Sequence, residues 1–197
     1  MNLLFADCCI SQRGGASRTR TLANAYLAAF REKYPEAEVE TVTPEQMLAL
    51  KPFTVDMLNE RDALAKAGQF DGPLFDLARQ FAAADAVVVA APYWDMSYPT
   101  ALRTYIEYIS ANGVAYHYDR FGPHGDAKAT RLVYLTSGGD FEHEDSVGVV
   151  HWRQLCTLFG IGQFDYVFAG GLDIDPAKTP AILEAACAVA AQLAEEF

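Results

Sequence analysis

The stretch with the clearest chemical character follows a strongly apolar run in the middle of the chain. Ala86–Ala91 is apolar throughout, and Pro92–Pro99 then brings two prolines and three aromatic residues. A strand that is apolar at every position is covered on both faces, as in a parallel sheet. Because open α/β sheets bind ligands at the carboxyl ends of their strands, this loop is expected to contact a flat, partly apolar ligand. The alternative is an aromatic loop that packs on a neighbouring helix. The candidate residues are Pro92, Tyr93, Trp94, Asp95 and Met96.

A second candidate loop follows the first apolar run and is rich in hydroxyl groups. Ser11, Ser17, Arg18 and Thr19 lie where a strand gives way to a predicted helix. Hydroxyls and backbone N–H groups at a helix N-terminus bind phosphate, and the helix dipole favours an anion there. The stretch lacks the lysine of a nucleotide-hydrolysing phosphate loop, which argues against ATP hydrolysis. The alternative is that Ser17 only caps the helix.

A third loop follows the strand-like run Arg131–Leu135. Its two glycines would let the backbone come close to a flat ligand, although an ordinary turn has the same composition. Three loops of this kind, each after a strand, predict one site at one edge of a sheet. The residues of this third loop are Thr136, Ser137, Gly138 and Gly139.

The elements that must position these loops alternate along the chain. Strands are predicted near 2–9, 37–42, 85–91, 130–136 and 164–169, with helices between them and after the last. The segment 44–72 reads as one or two short helices outside the sheet, and Thr179 as the N-cap of the last helix. Right-handed crossovers then give a doubly wound parallel α/β sheet of five strands with helices on both faces. The expected strand order is 2-1-3-4-5, with the site between strands 1 and 3.

Composition and charge limit the function classes. The chain has 197 residues, of which 51% are hydrophobic, and a net charge of −11; this length suits a single domain spanning residues 1–197. The acidic balance argues against nucleic acid as a partner. No apolar run is long enough to span a bilayer and no charged leader opens the chain, so a cytoplasmic protein without membrane contact is expected. The cysteines (Cys8, Cys9, Cys156 and Cys187) are interpreted as small hydrophobic residues rather than a redox pair.

Taken in order, the loops resemble those of the flavodoxin-2-like family of FMN-dependent NAD(P)H oxidoreductases, which includes quinone reductases and azoreductases. Ser11 and Ser17-Arg18-Thr19 match the family's serines at the first helix. Pro92–Met96 with Pro99 matches its Pro-x-Tyr/Trp-Asn-Phe segment, and Thr136–Gly139 its Thr/Ser-x-Gly-Gly segment. Gly113–Tyr118 matches a Gly-x-x-Phe-x-Tyr pattern between them. The resemblance spans essentially the whole chain.

This chain departs from the family at two positions of the aromatic loop. Asp95 stands where the family usually has asparagine, and Met96 where it usually has phenylalanine. An ionised carboxylate near the flavin would disfavour its anionic reduced form, because like charges repel. The redox potential and the substrate preference are therefore expected to differ from those of typical members.

The resemblance implies FMN as cofactor and NAD(P)H as co-substrate, with the three loops binding the flavin. Two electrons would pass as a hydride to a quinone, azo or nitro compound, by a ping-pong mechanism in one cavity. The flavin carries the chemistry, and no catalytic side chain is expected. The alternative is a flavodoxin-type carrier that shuttles single electrons to protein partners; NAD(P)H consumption separates the two.

The segment Val114–Ala127 suggests a cavity wall or a subunit interface. Tyr116, Tyr118 and Phe121 are expected to cap the substrate cavity, from the same chain or from a partner, in a homodimer; burial at a dimer interface alone is the alternative. The acidic residues around His143 (Glu142, Glu144 and Asp145) suggest a solvated loop rather than a metal site.

Overall fold

A computed structural model describes residues 1–11, 13–141 and 145–196. In chain order its strands are β1 (Asn2–Asp7), β2 (Glu38–Val42), β3 (Ala86–Ala90), β4 (Tyr116–Asp119), β5 (Gly122–Gly125), β6 (Arg131–Ser137) and β7 (Gln163–Ala169). Five of them are parallel and form the main sheet, in the spatial order β2-β1-β3-β6-β7. The other two, β4 and β5, form a separate antiparallel hairpin.

The helices alternate with the sheet strands. A 3-10 turn at Gly14–Ala16 precedes the first of them. Thr43 forms a capping box at the start of α2 (Pro44–Ala49), and Gly160 ends α6 (Val147–Phe159) in the left-handed conformation that glycine tolerates best. The helices are α1 (Arg18–Lys33), α2 (Pro44–Ala49), α3 (Val55–Lys66), α4 (Asp76–Ala83), α5 (Thr100–Ile109), α6 (Val147–Phe159) and α7 (Thr179–Ala194).

Side chains of successive strand residues enter two separate cores. In β1, Leu3 and Phe5 pack with residues of α1 and α7, whereas Leu4 and Ala6 pack with residues of α2, α4, α5 and α6. This alternation follows from the two-residue period of a strand. The parallel sheet is confirmed, and so is the predicted order, the fourth and fifth parallel strands being β6 and β7. Helices cover both of its faces.

The segment Val114–Ala127 contains the β4–β5 hairpin, which the sequence pattern did not predict. Its strands carry Gly122, Pro123 and Gly125, residues that are rare in sheet interiors. The hairpin packs against the last turn of α6: a Cβ on Gly125 would lie 1.9 Å from the carbonyl carbon of Phe159. Since α6 begins beside the carboxyl edge of the sheet and its 13 residues span about 20 Å, the hairpin lies near the opposite edge.

A buried arginine ties the last helix to the sheet. Arg131, 2% exposed at the start of β6, bonds Asp165 of β7 through Nε at 2.7 Å. Its Nη1 donates to the carbonyl oxygens of Leu193 and Glu196, at 3.2 and 3.0 Å, at the C-terminal end of α7. The guanidinium thus has partners for several of its donors, which a buried charge requires.

The prediction of Thr179 as the N-cap of the last helix was wrong by one residue. Lys178 occupies the cap position, and Thr179 is the first residue of α7. Its hydroxyl donates instead to the carbonyl oxygen of Leu172 at 2.9 Å. Within the described residues, no helix has the length and apolar character needed to cross a bilayer.

Candidate functional site

The loops that follow β1, β3, β6 and β7 surround one cleft at the carboxyl edge of the sheet. Its cavity volume is about 130 Å³, smaller than that of sites which enclose a whole small molecule. The three loops predicted from the sequence all contribute, and the loop after β7 joins them. The lining residues are Ser11, Arg13, Ala16, Ser17, Arg18, Thr19, Pro92, Tyr93, Trp94, Ser137, Gly138, Gly139 and Asp173.

One end of the cleft is formed by the N-terminus of α1, a helix of 16 residues. Ser17 is its N-cap and accepts a hydrogen bond from the Arg20 N–H at 3.4 Å. The first N–H groups of a helix have no partner inside it, and the helix dipole adds partial positive charge there. Together with the Arg18 guanidinium, this end of the cleft is suited to an anion such as phosphate.

A buried hydrogen bond joins the hydroxyl loop to the glycine loop. The Thr19 and Ser137 hydroxyl oxygens lie 2.7 Å apart, and both residues are buried. This contact fixes the start of α1 against the end of β6. Thr19 therefore has a structural role in addition to its predicted binding role.

Two ion pairs hold the arginines at the start of α1. Arg18 Nη1 lies 2.7 Å from Asp173 Oδ1, and Arg20 Nη1 lies 2.6 Å from Asp7 Oδ2. Asp7 is buried at the end of β1, where its carboxylate also accepts the Cys9 N–H at 3.0 Å. Burial raises the pKa of Asp7 above its ordinary value, against the opposing effects of the Cys9 hydrogen bond and the Arg20 charge.

The aromatic loop forms a tight turn with unusual backbone angles. Trp94 and Ser97 exchange backbone hydrogen bonds of 3.1 and 2.8 Å, leaving Asp95 and Met96 as the two central residues. Their φ angles are +51° and +62°, the left-handed values of a type I′ turn. Asparagine and glycine adopt these values most readily, so the methionine places strain at this point. Both side chains are exposed and lie outside the cleft lining.

The backbone before this turn is fixed by the end of β6. The Tyr93 N–H donates to the Ser137 carbonyl oxygen at 2.9 Å, which continues the pairing of the sheet beyond β3. The Tyr93 ring meets the Phe168 ring edge-on, with centroids 5.2 Å apart. Trp94 is 38% exposed at the cleft. The cleft therefore has an aromatic wall, and contacts with β6 and β7 fix the position of that wall.

The two glycines after β6 allow close approach of neighbouring groups. A Cβ on Gly138 would lie 3.1 Å from Tyr93 and Phe168 ring atoms, and one on Gly139 would lie 2.3 Å from Asp173 Oδ2. The loop after β7 is bound to this segment by the Asp173 N–H, which donates to the Gly139 carbonyl oxygen at 3.1 Å. The glycines therefore allow the aromatic rings and the Asp173 carboxylate to pack closely against this segment.

Several predicted residues do not line the cleft. Thr136 is 1% exposed within β6, and its hydroxyl has no hydrogen-bond partner among the described residues. Tyr116, Tyr118 and Phe121 belong to the hairpin near the opposite edge of the sheet, so one chain does not bring them to the cleft. Tyr118 and Phe121 are 61% and 77% exposed.

Three lining residues were not predicted: Arg13, Ala16 and Asp173. Arg13 and Ala16 lie inside the hydroxyl loop, so the prediction of that loop already indicated the region in which they lie. Asp173 follows the fifth parallel strand, whose position in the sheet implied a fourth loop at the same edge.

The predicted acidic loop around His143 lies mostly outside the described residues, since 142–144 are not among them. Elsewhere in the described chain, no three His, Cys, Asp or Glu side chains are placed to hold a metal ion. Burial raises the pKa of the Cys8 thiol to about 12 and that of Cys9 further. Both thiols therefore stay protonated, as expected of structural cysteines.

Comparison with known proteins gives consistent matches over the whole chain. A curated relative, the FMN-dependent NADH:quinone oxidoreductase of Clostridium beijerinckii, is 30% identical and the match covers 93% of each chain. The protein of the same name from Acidovorax ebreus is 30% identical over 98% of this chain and 94% of its own. The crystal structure of an azoreductase from Bacillus anthracis superposes with a TM-score of 0.88 at 24% identity, with full coverage of both chains. The model of the family described as having a flavodoxin-like fold matches residues 1–193, and the chain therefore belongs to that family.

Proposed function

We propose that this protein is an FMN-dependent NAD(P)H oxidoreductase that passes a hydride to quinone, azo or nitro compounds. The observation that carries the proposal is the cleft itself, because residues from loops distant in sequence converge there with an anion end and an aromatic wall. Relatives at 30% identity are named FMN-dependent NADH:quinone oxidoreductases, which supports the same cofactor and the same class of reaction.

The residues of the cleft fit FMN. Ser17 and Arg18 at the N-terminus of α1, with Ser11 in the loop before it, would hold the phosphate by hydroxyl, backbone and guanidinium donors. Gly138 and Gly139 line the cleft without side chains, so a flat ring could approach their backbone. The Tyr93 and Trp94 rings would contact the ring system. When bound, FMN supplies the ability to accept and donate a hydride.

The chain's own residues would bind the cofactor and the reactants and orient them. The exchange of hydrogen bonds between Trp94 and Ser97, and the bond from Tyr93 to Ser137, fix the aromatic loop before any ligand arrives. No side chain is required to move a proton in a hydride transfer. The cleft would leave one side of the bound flavin open, with protein on the others. NAD(P)H and the acceptor would therefore occupy that open side in turn, which supports a ping-pong scheme.

We also propose a homodimer in which the hairpin of one chain reaches the cleft of the other. Tyr118 and Phe121 are too exposed to be explained by packing within one chain, and large exposed aromatic surfaces mark interaction sites. Tyr116 would support them, since its ring meets that of Tyr118 edge-on at 5.7 Å. A cytoplasmic location is proposed as well, where the thiols would stay reduced.

The absorbance spectrum of the purified protein and its turnover test the proposal. Bound FMN should give a yellow protein that consumes NAD(P)H when a quinone is present, with parallel double-reciprocal lines over a grid of both substrates. Bound FMN without NAD(P)H consumption would favour the flavodoxin-type electron carrier instead. Intersecting lines would reject the ping-pong scheme, and a colourless protein that takes up no FMN would reject the whole proposal.

A matched pair of serine variants tests the position of the cofactor. Ser11→Ala removes a hydroxyl from the cleft, whereas Ser110→Ala removes one at the C-terminal end of α5, away from it. Loss of one hydrogen bond to a charged group should weaken FMN binding by about tenfold in the first variant and leave it unchanged in the second. Equal affinities would place the phosphate elsewhere.

A further inference from the structure

An acidic side chain stands at the anion end of the cleft, and the proposed cofactor does not account for it. Asp173 lies in the loop after β7 and lines the cleft. Its carboxylate pairs with Arg18 at 2.7 Å, across 155 positions of sequence. Arg18 is the first residue of α1, at the position where a phosphate would be held.

The backbone around Asp173 is held in place by the neighbouring loop. The N–H groups of Leu172 and Asp173 donate to the carbonyl oxygens of Gly138 and Gly139, at 3.3 and 3.1 Å. The Gly171 N–H donates to the Asp140 carbonyl oxygen at 2.6 Å. Asp173 Oδ2 then lies over Gly139, closer than any side chain at that position would allow. The backbone contacts and the pairing with Arg18 therefore hold the carboxylate at the cleft, with most of the side chain exposed.

Two other arginines lie near this end of the cleft. Arg20 is committed to the buried carboxylate of Asp7 at 2.6 Å. Arg13 lines the cleft from the loop that precedes α1. A dianionic phosphate that takes Arg18 must therefore displace Asp173 from it, or bind with a like charge a few ångströms away.

We propose that Asp173 determines the specificity of the cleft between flavins. Its carboxylate competes with the cofactor phosphate for Arg18, and this reduces the affinity for FMN relative to that for uncharged riboflavin. The inference rests on the proposed function, since it assigns the phosphate of FMN to the N-terminus of α1. The physical reason is that a fixed negative charge at this point weakens the binding of an anion but not the binding of a neutral flavin.

Titrations of the flavin-free protein with FMN and with riboflavin, followed by flavin fluorescence, test this role. Asp173→Asn keeps the size of the side chain and removes its charge. Asp175→Asn is the matched control, because it removes the same charge two positions along, where the carboxylate pairs with Lys178 at 3.3 Å outside the cleft lining. The Asp173 side chain is 66% exposed, so its replacement should leave folding intact.

We expect Asp173→Asn to bind FMN about five- to tenfold more tightly than the wild type, and riboflavin with unchanged affinity. Asp175→Asn should change neither affinity by more than about twofold, and added salt should shrink the gain at position 173. Weaker FMN binding in Asp173→Asn would mean that Asp173 positions Arg18, and would overturn the proposal. The proposal would also be overturned if affinity rose equally for both flavins, if it rose equally in both variants, or if it did not rise at all. These outcomes leave wild-type FMN binding intact, whereas its absence would reject the proposed function as well.

Discussion

The contact between Gly148 and Tyr134 gives a sharp test of packing beneath α6. An ideal Cβ at position 148 would lie 2.7 Å from the Tyr134 hydroxyl oxygen and 3.0 and 3.1 Å from two ring carbons. Tyr134 is 1% exposed, and its hydroxyl makes no hydrogen bond of ordinary geometry within the described residues. The ring therefore cannot move aside without disturbing the core around it.

Replacing Gly148 with alanine combines two opposing effects. Alanine is favoured over glycine in a helix interior by about 1 kcal/mol, and by less at the second residue of a helix, where Gly148 lies, whereas overpacking a filled core costs about 1–3 kcal/mol. Because the clash is with a buried ring and not with a flexible side chain, we expect Gly148→Ala to destabilise the protein by about 1–2 kcal/mol net. For a chain of this length, that corresponds to a fall in Tm of about 2–8 °C.

Tyr134→Phe removes the nearest clashing atom and supplies the second arm of a double-mutant cycle. Alone it should be close to neutral, because the lost hydroxyl forms no hydrogen bond of ordinary geometry within the described residues. In combination it should recover about 1 kcal/mol of the cost of Gly148→Ala, although the two ring-carbon contacts remain. Urea unfolding of the four flavin-free proteins measures this coupling energy. A coupling near zero, or a Gly148→Ala protein more stable than the wild type, would refute the packing argument.

Two further predictions concern strain and pH. Met96→Gly should stabilise the flavin-free protein by about 0.5–1 kcal/mol, since it relieves a left-handed residue at φ +62° at a smaller cost in chain entropy. Met96→Ala keeps the strain and is the control in urea unfolding; equal stability of the two variants would contradict the expectation. Burial and the Arg103 charge lower the pKa of His151, whose ring also bonds Tyr98, so the unfolded state binds its proton more readily. Stability should thus fall as the pH drops through 6.5 toward the lowered pKa, and His151→Asn should remove this component; parallel pH profiles of the two proteins would argue against it.

Much of the sheet and part of the cleft were predictable because their signals are local. The apolar run Ala86–Ala91 is buried throughout, as a strand covered on both faces must be. Ser17 begins its helix at the predicted position. Since the carboxyl ends of parallel strands share one edge, placing the strands was enough to bring the three loops together.

What the sequence could not supply depends on unusual local conformations and on contacts distant along the chain. The tight turn at Asp95 and Met96 lacks the Asn-Gly pair that is typical of type I′ turns. The hairpin strands are short and polar, and they gain stability by packing against the end of α6. The strand order implied a fourth loop at Asp173, but the pairing of Asp173 with Arg18 is a long-range contact that no pattern of spacing predicts.

The buried Arg131 has a consequence for how a newly made chain reaches this fold. Its partners lie 34 residues later in β7 and 62 to 65 residues later at the end of α7. While the chain is being synthesised, β6 leaves the ribosome before any of these partners has emerged, so the guanidinium then has only water as a partner. The same helix covers the apolar face that α1 shares with the sheet. Docking of α7 should therefore complete the core late and in one step, and chains that stall before Thr179 would expose that face to chaperones and proteases.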